Sequence, residues 1–206
     1  MQPDEHPILF AGRLVRAILE GRKTVTRRTR GLLDFTDRGR LISCRDGVAA
    51  FGDSIPDDPV PIDVRCPYGK PGDLLWVRET LIRGDGGHIK YAADDSLIPH
   101  SQWQWKRPSV PSIHMPRWAS RITLKVESVR VERLQDITEA DARAEGAERG
   151  RPADAPVNVT QTYRDGFLSL WDHINGKRAP WKSNPWVWSI TFRVASATAK
   201  ETKRSA

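Results

Sequence analysis

Arg121-Ile122-Thr123-Leu124-Lys125-Val126-Glu127-Ser128-Val129-Arg130-Val131 alternates apolar and polar side chains, the repeat of a strand with one buried and one solvated face. It is the clearest strand in the chain. Toward the N-terminus, Pro71-Gly72-Asp73 reads as a turn that launches Leu74-Leu75-Trp76-Val77, an apolar run short enough for a buried strand, with Arg78 and Glu79 at its far end. Earlier still, Ile8-Leu9-Phe10 reads as a short strand. Leu14, Ala17 and Ile18 then recur at helical spacing up to a stop at Gly21, and the β-branched Thr24-Val25-Thr26 opens another strand. Toward the C-terminus, Thr138-Glu139-Ala140-Asp141 sets a hydroxyl cap before an acid, which predicts a helix up to Gly146 with Glu145 as its last side chain. A further helix is predicted over Tyr163 to Ile174, with Phe167, Leu170, Trp171 and Ile174 on one face, and a closing strand over Trp186 to Val194.

Strands separated by single helices at irregular intervals predict an α+β domain around a small barrel or curled sheet, and nothing in the pattern supports a Rossmann arrangement. The reading is one domain over 1–194, with the proline- and glycine-containing stretch 31–69 as an irregular insertion and 195–206 as a flexible basic tail.

The chain has 206 residues, 38% of them hydrophobic and 29% charged, which excludes collagen-like, coiled-coil and wholly disordered classes. No apolar run approaches the roughly 18–20 residues of a membrane span. Met1 to His6 lacks the basic start and apolar core of a signal peptide, so a cytoplasmic protein without membrane contact is expected. Cys44 and Cys66 have no partner Cys or His at metal-ligand spacing, so two free thiols are expected, with neither metal nor cofactor. The net charge is +7, and Arg22, Lys23, Arg27, Arg28 and Arg30 fall within nine residues. Eight tryptophans accompany them. Flat rings beside cations hold exposed bases, so a basic domain that binds nucleotides is the reading from composition alone.

The run Leu19-Glu20-Gly21-Arg22-Lys23-Thr24-Val25-Thr26-Arg27-Arg28 resembles the signature of the ASCH domain, in which a helix ends at glycine and is followed by Lys-Thr and a further Thr or Arg. Pro71-Gly72-Asp73-Leu74-Leu75 resembles that family's Gly-Asp turn before a barrel strand. Leu134 to Gly146 resembles its late helix ending in Glu, and Val187 to Phe192 its last strand, all in the expected order. Cys66-Pro67-Tyr68-Gly69, Trp76-Val77-Arg78-Glu79, Ser112 to Arg121 and Asn184-Pro185-Trp186 resemble longer forms met in phages and prophages. The resemblance implies a PUA-like fold, a small β-barrel with flanking helices, loop insertions and a cleft that receives RNA or a nucleoside. Likeness to the short members implies an amidohydrolase that removes the acyl group of N4-acetylcytidine with a lysine, a threonine and a glutamate. Their counterparts here are Lys23, Thr26 and Glu145.

Amide cleavage at the exocyclic nitrogen of cytosine needs a nucleophile, a base, a donor for the oxyanion and an acid for the leaving amine. A lysine is a base near neutrality only if its pKa falls well below about 10.4, which burial or the neighbouring Arg22, Arg27 and Arg28 favour. Glu145 at a helix C-terminus meets the negative end of the dipole, which raises its pKa and suits a proton donor. Residues three apart on a regular strand face opposite ways, so Lys23 is expected in the turn before Thr26. Arg22, Arg28, Trp76, Arg117, Trp118, Arg121 and Trp188 are the expected substrate-binding residues, with Trp76 and Trp188 nearest the base. The expected partners are a modified cytosine nucleoside and RNA. Two other readings stay open: a non-catalytic module for RNA or a modified base, and a ribonuclease, which some ASCH relatives suggest.

Overall fold

Residues 2–35, 39–53, 61–150 and 160–197, which the computed structural model describes, form an α+β arrangement that is mostly sheet. In chain order the elements are β1 (Glu5–Leu9), α1 (Gly12–Leu19), β2 (Val25–Arg28), β3 (Gly39–Arg45), β4 (Val48–Asp53), β5 (Ile62–Arg65), β6 (Leu74–Arg78), β7 (Leu81–Arg83), β8 (Ile89–Tyr91), β9 (Ser109–Val110), β10 (Ile122–Arg133), α2 (Glu139–Ala144), α3 (Tyr163–Asn175) and β11 (Trp186–Ala197). Thr138 and Thr162 cap α2 and α3, each hydroxyl accepting a backbone N–H three residues on.

The long β10 and β11 pair antiparallel at the middle of a five-stranded sheet in the order β1-β6-β10-β11-β2, where only β1 and β6 are parallel. The alternation along β10 slips by one residue. Ile122, Leu124 and Val126 are buried, and the next buried pair is Val129 and Val131. A bulge between Val126 and Ser128 leaves Glu127 unpaired with β11 and returns the apolar set to the same face. Bulges also bend strands, and this sheet curls until its edges approach: Nη2 of Arg28 on β2 donates to the carbonyl of Leu9 on β1 at 2.6 Å. The Phe10 ring fills the seam, with Arg28 at 5.0 Å, Lys23 Nζ at 5.4 Å and the Phe192 ring at 6.3 Å. No backbone ladder joins β1 to β2 among the described residues, so the barrel expected from the sequence is here an open, curled sheet closed by side chains.

β11 is buried on both sides over Val187 to Ile190 and exposed from Arg193 onward. Trp188, Ile190 and Phe192 enter the main core with Leu14, Val15 and Ile18 of α1, while Val187 packs against Phe167 and Trp171 of α3 and Ala142 of α2. It also runs past the expected end at Val194, because Ser196 and Ala197 still pair with Thr123 and Ile122. The rest of the expected tail, 198–206, lies outside the described residues.

The stretch 31–69, expected to be irregular, carries an antiparallel sheet of β3, β4 and β5. Asp46 and Gly47, both with positive φ (50° and 75°), form the two-residue loop between Arg45 and Val48, an Asp-Gly hairpin turn that a reading by proline and glycine content alone passes over. Phe51 is the anchor of this sheet, stacked on Phe35 at 4.5 Å and edge-on to Trp186 at 5.8 Å. A further small sheet, β8-β7-β9, has its own cluster of Leu81, Ile89, Tyr91, Val110 and Met115.

Cys44 and Cys66 are free. Burial pushes the Cys66 thiol up to about 12, so at pH 8 roughly one side chain in ten thousand is the reactive thiolate. Cys66 in the native protein is expected to resist a chromogenic disulfide reagent at pH 8 and to react within seconds once denaturant exposes it. Native-state labelling of Cys66 at the rate of a small free thiol would contradict this burial.

Candidate active site

Gly21 ends α1 in the left-handed region (φ 72°), and the turn sets Lys23 just ahead of β2 rather than on it. There Lys23 bridges to Glu145, the residue that ends α2, and the Thr24 N–H donates to Ala144 O at 2.8 Å. The free edge of β2 is thus stitched to the end of a helix more than a hundred residues later in the chain. Lys23 Nζ donates to three acceptors: Val25 O at 2.7 Å, Glu145 O at 2.8 Å and Glu145 Oε2 at 2.6 Å. The two side chains are 0% and 5% exposed, so this is a buried ion pair.

Burial is the main influence on Lys23 and lowers its pKa; the Glu145 charge and hydrogen bond oppose it, and the Arg28 and Arg27 charges lower it further. Arg22, expected among these neighbours, is exposed instead and pairs with Glu20. Thr26 is buried on β2, directly after the carbonyl that holds Nζ, and opposite the core residue Ile190. The position of Lys23 before the strand removes the conflict of facing that regular strand geometry would impose on Lys23 and Thr26.

Arg27, expected only as a neighbouring cation, points to the other side of β2 and belongs to the site itself. Its guanidinium meets Glu132, Asp141 at 3.1 Å and the second oxygen of Glu145 at 3.5 Å. Arg27 Nε and Nη1, Glu145 Oε1 and Ser189 Oγ are buried without a hydrogen-bond partner among the described residues. Ser189 stands opposite Arg27 in the ladder. The available signal was the Asp141 of the capping motif, which lies one helical turn before Glu145 and so shares its face.

The structure does not gather the expected substrate-binding residues around this pair. Trp188 is fully buried in the main core, its Nε1 donating to Arg30 O at 3.1 Å, and has no ring face left for a base. Arg121 is also buried. It binds Glu79 through two hydrogen bonds of 2.9 and 2.8 Å, Asp94 at 3.1 Å and Ser96 at 2.6 Å, and lies 3.9 Å over the Tyr91 ring. It ties the β8-β7-β9 sheet to the start of β10 rather than lining a cleft. Trp76 alternates with the core residues Leu75 and Val77 and therefore faces outward from β6; Arg117 covers its ring at 5.7 Å and Trp118 follows it on the surface. Arg28 alone of the expected binding residues reaches the Phe10 seam beside Lys23.

A cavity of about 600 Å³ opens beside the pair, lined by Arg22, Thr24, Arg143, Ala144, Arg149 and Tyr163, and one of about 410 Å³ continues past Arg22 to Arg13 and His173. Lys23, Thr26 and Glu145 line neither. Among the described residues, no group of three or more His, Cys, Asp or Glu is placed to hold a metal ion, and no helix is long and apolar enough to cross a membrane.

No family model and no curated protein matches the chain. Among solved structures it is similar to the crystal structure of protein EF3133 from Enterococcus faecalis, of family-model DUF984, with a TM-score of 0.40 at 11% identity over 98% of this chain and 85% of that one.

Proposed function

We propose that Lys23, Thr26 and Glu145 form the hydrolytic centre of an amidohydrolase that removes the acyl group from N4-acylated cytosine nucleosides such as N4-acetylcytidine, on a curled sheet of PUA-like type. The observation that carries the reading is the 2.6 Å contact between Lys23 Nζ and Glu145 Oε2 inside the protein, with Nζ also bonded to the carbonyl that precedes the buried Thr26. The resemblance of the run Leu19 to Arg28 to the ASCH signature supports it, as does the approach of the sheet edges at Leu9 and Arg28.

Transfer of one proton along the 2.6 Å contact turns the ion pair into a neutral amine and a carboxylic acid, the two forms the reaction needs. The amine takes the Thr26 hydroxyl proton as that oxygen bonds to the acyl carbon, and Glu145 gives its proton to N4 as the carbon–nitrogen bond breaks and cytidine leaves. Water then attacks the threonine ester and loses a proton to Glu145. The ester bond breaks, Lys23 returns its proton to Thr26, and the carboxylic acid departs and ionises. Because Lys23 has no exposed side-chain surface, the cycle includes an opening step that admits the acyl group. Arg27 is a positioning residue, holding the far oxygen of Glu145.

The test is incubation of the purified protein with N4-acetylcytidine and chromatographic detection of cytidine and acetate in equal amounts. Absence of release across acetyl, propionyl and benzoyl cytidines would sink the hydrolase. The second reading, a module that binds RNA or a modified base without cleaving it, is favoured by the saturation of Lys23 Nζ with three acceptors, the arrangement of a strut as much as of a base.

A further inference from the structure

We propose that the outward face of β6, extended by the turn carrying Arg117 and Trp118, is a stacking surface for single-stranded nucleic acid. The proposal does not rest on the hydrolase reading, because these residues lie away from Lys23 and Glu145.

Trp118 is 57% exposed, and the Trp105 ring lies 6.3 Å from it at only 13° from parallel, with Trp103 edge-on behind Trp105 at 4.9 Å. On the other side of Trp118 in the chain, Arg117 covers the Trp76 ring at 5.7 Å, and Arg78 covers the same ring at 5.3 Å. The face thus carries a near-parallel pair of rings, Trp105 and Trp118, beside a third ring, Trp76, that holds the guanidiniums of Arg117 and Arg78. Lys106 and Arg107, exposed, flank Trp105. Glu5 is the acid that pairs with Arg117, at 3.0 Å across two half-exposed side chains, a contact solvent weakens and a phosphate can replace. Arg78 donates to Ile113 O, and its Nε is buried without a hydrogen-bond partner among the described residues.

An exposed indole loses hydrophobic stabilisation, and near-parallel rings spaced with cations recover it when an unpaired base stacks and its phosphates meet the charges. Protein interfaces also gather tryptophan and arginine but deplete lysine, whereas Lys106 stands exposed here with Arg107, Arg117 and Arg78 around the rings, the cationic footprint of a polyanion. Duplexes hide their base faces, so the rings select single strands.

The experiment measures fluorescence anisotropy of labelled ten-nucleotide single strands, RNA and DNA, and of the matching duplexes, with the full chain. Single strands are expected to bind at least about ten-fold tighter than duplexes, Trp118→Ala and Trp105→Ala each to weaken binding roughly ten-fold, and Trp118→Phe to retain most of it. Arg117→Gln is expected to lower the slope of log Kd against log salt by about one. Because Trp118 is exposed, its variants should melt with the wild type, and circular dichroism checks that. Equal affinity of wild type and Trp118→Ala, equal affinity for duplex, or absence of oligonucleotide binding would overturn the proposal. Quenching of tryptophan fluorescence by a neutral oligosaccharide without oligonucleotide binding would reassign the rings to glycans.

Discussion

Glu145→Gln is expected to lower the free energy of unfolding by about 3–5 kcal/mol at pH 7, the cost of leaving a buried charge without its partner. The carboxylate lies 2.6 Å from Lys23 Nζ and 3.5 Å from Arg27 Nη1, and glutamine keeps its shape while removing its charge. Lys23 would then stand buried beside the Arg27 guanidinium with no carboxylate of its own, while Arg27 keeps Glu132 and Asp141. Glu20→Gln removes the acid from an exposed pair with Arg22 and is expected to cost at most about 1 kcal/mol. Urea unfolding with an unchanged m-value separates the two. The pH dependence adds a second check. The Lys23 pKa is already below its ordinary 10.5 in the folded protein, and loss of Glu145 removes the two influences that hold it up. In the variant the folded protein therefore gives up the Lys23 proton at a lower pH than the folded wild type does; the deficit of Glu145→Gln narrows as pH rises between those two folded-state values and is constant from the wild-type value up to 10.5, where both folded proteins lack that proton. The double variant Lys23→Met/Glu145→Leu is expected to regain most of the stability, because it removes both charges together. A deficit below about 1 kcal/mol in Glu145→Gln would show that the pair does not hold β2 to α2.

Lys23→Arg is expected to reduce kcat/KM for N4-acetylcytidine by about 10²–10⁴, the contribution of a general base, while keeping the charge opposite Glu145. A guanidinium holds its proton at any ordinary pH, whereas a buried amine whose pKa falls gives its proton up. The larger side chain must fit a fully buried position, so some overpacking, about 1–3 kcal/mol, accompanies the change. That is smaller than the loss expected from Glu145→Gln. Lys23→Arg and Lys23→Met/Glu145→Leu are therefore both expected to stay folded and inactive, whereas the damage in Glu145→Gln is to stability as well as to rate. Hydrolysis by Lys23→Arg at the wild-type rate, in protein shown folded by circular dichroism, would exclude Lys23 as the base.

Local repeats and end signals in the sequence determined much of the secondary structure. The alternation of Ile122 to Val131, the run Leu74 to Val77, the cap at Thr138 and the apolar face Phe167-Leu170-Trp171-Ile174 each lie within a few residues of one another, and β10, β6, α2 and α3 stand where those patterns put them, although Ile174, at the end of α3, is exposed. The turn at Gly21 likewise sets Lys23 before its strand. Only the tertiary structure decided which surface each face meets. Period two tells that Trp76 and Leu75 point opposite ways, but not that Leu75 meets the core while Trp76 lies outside under Arg117. Nor does it tell that Trp188 is enclosed, that Arg121 closes on Glu79 and Asp94, or that the edges of the sheet curl together at Leu9 and Arg28 without a ladder. The partners that make Lys23 and Arg27 a site stand 122 and 114 residues away, at Glu145 and Asp141. Contacts at such separations depend on the docking of α2 against the edge of β2, which burial of Ala142 and Val187 between helix and sheet drives. That packing is a property of the assembled core, and no local pattern in the chain carries it.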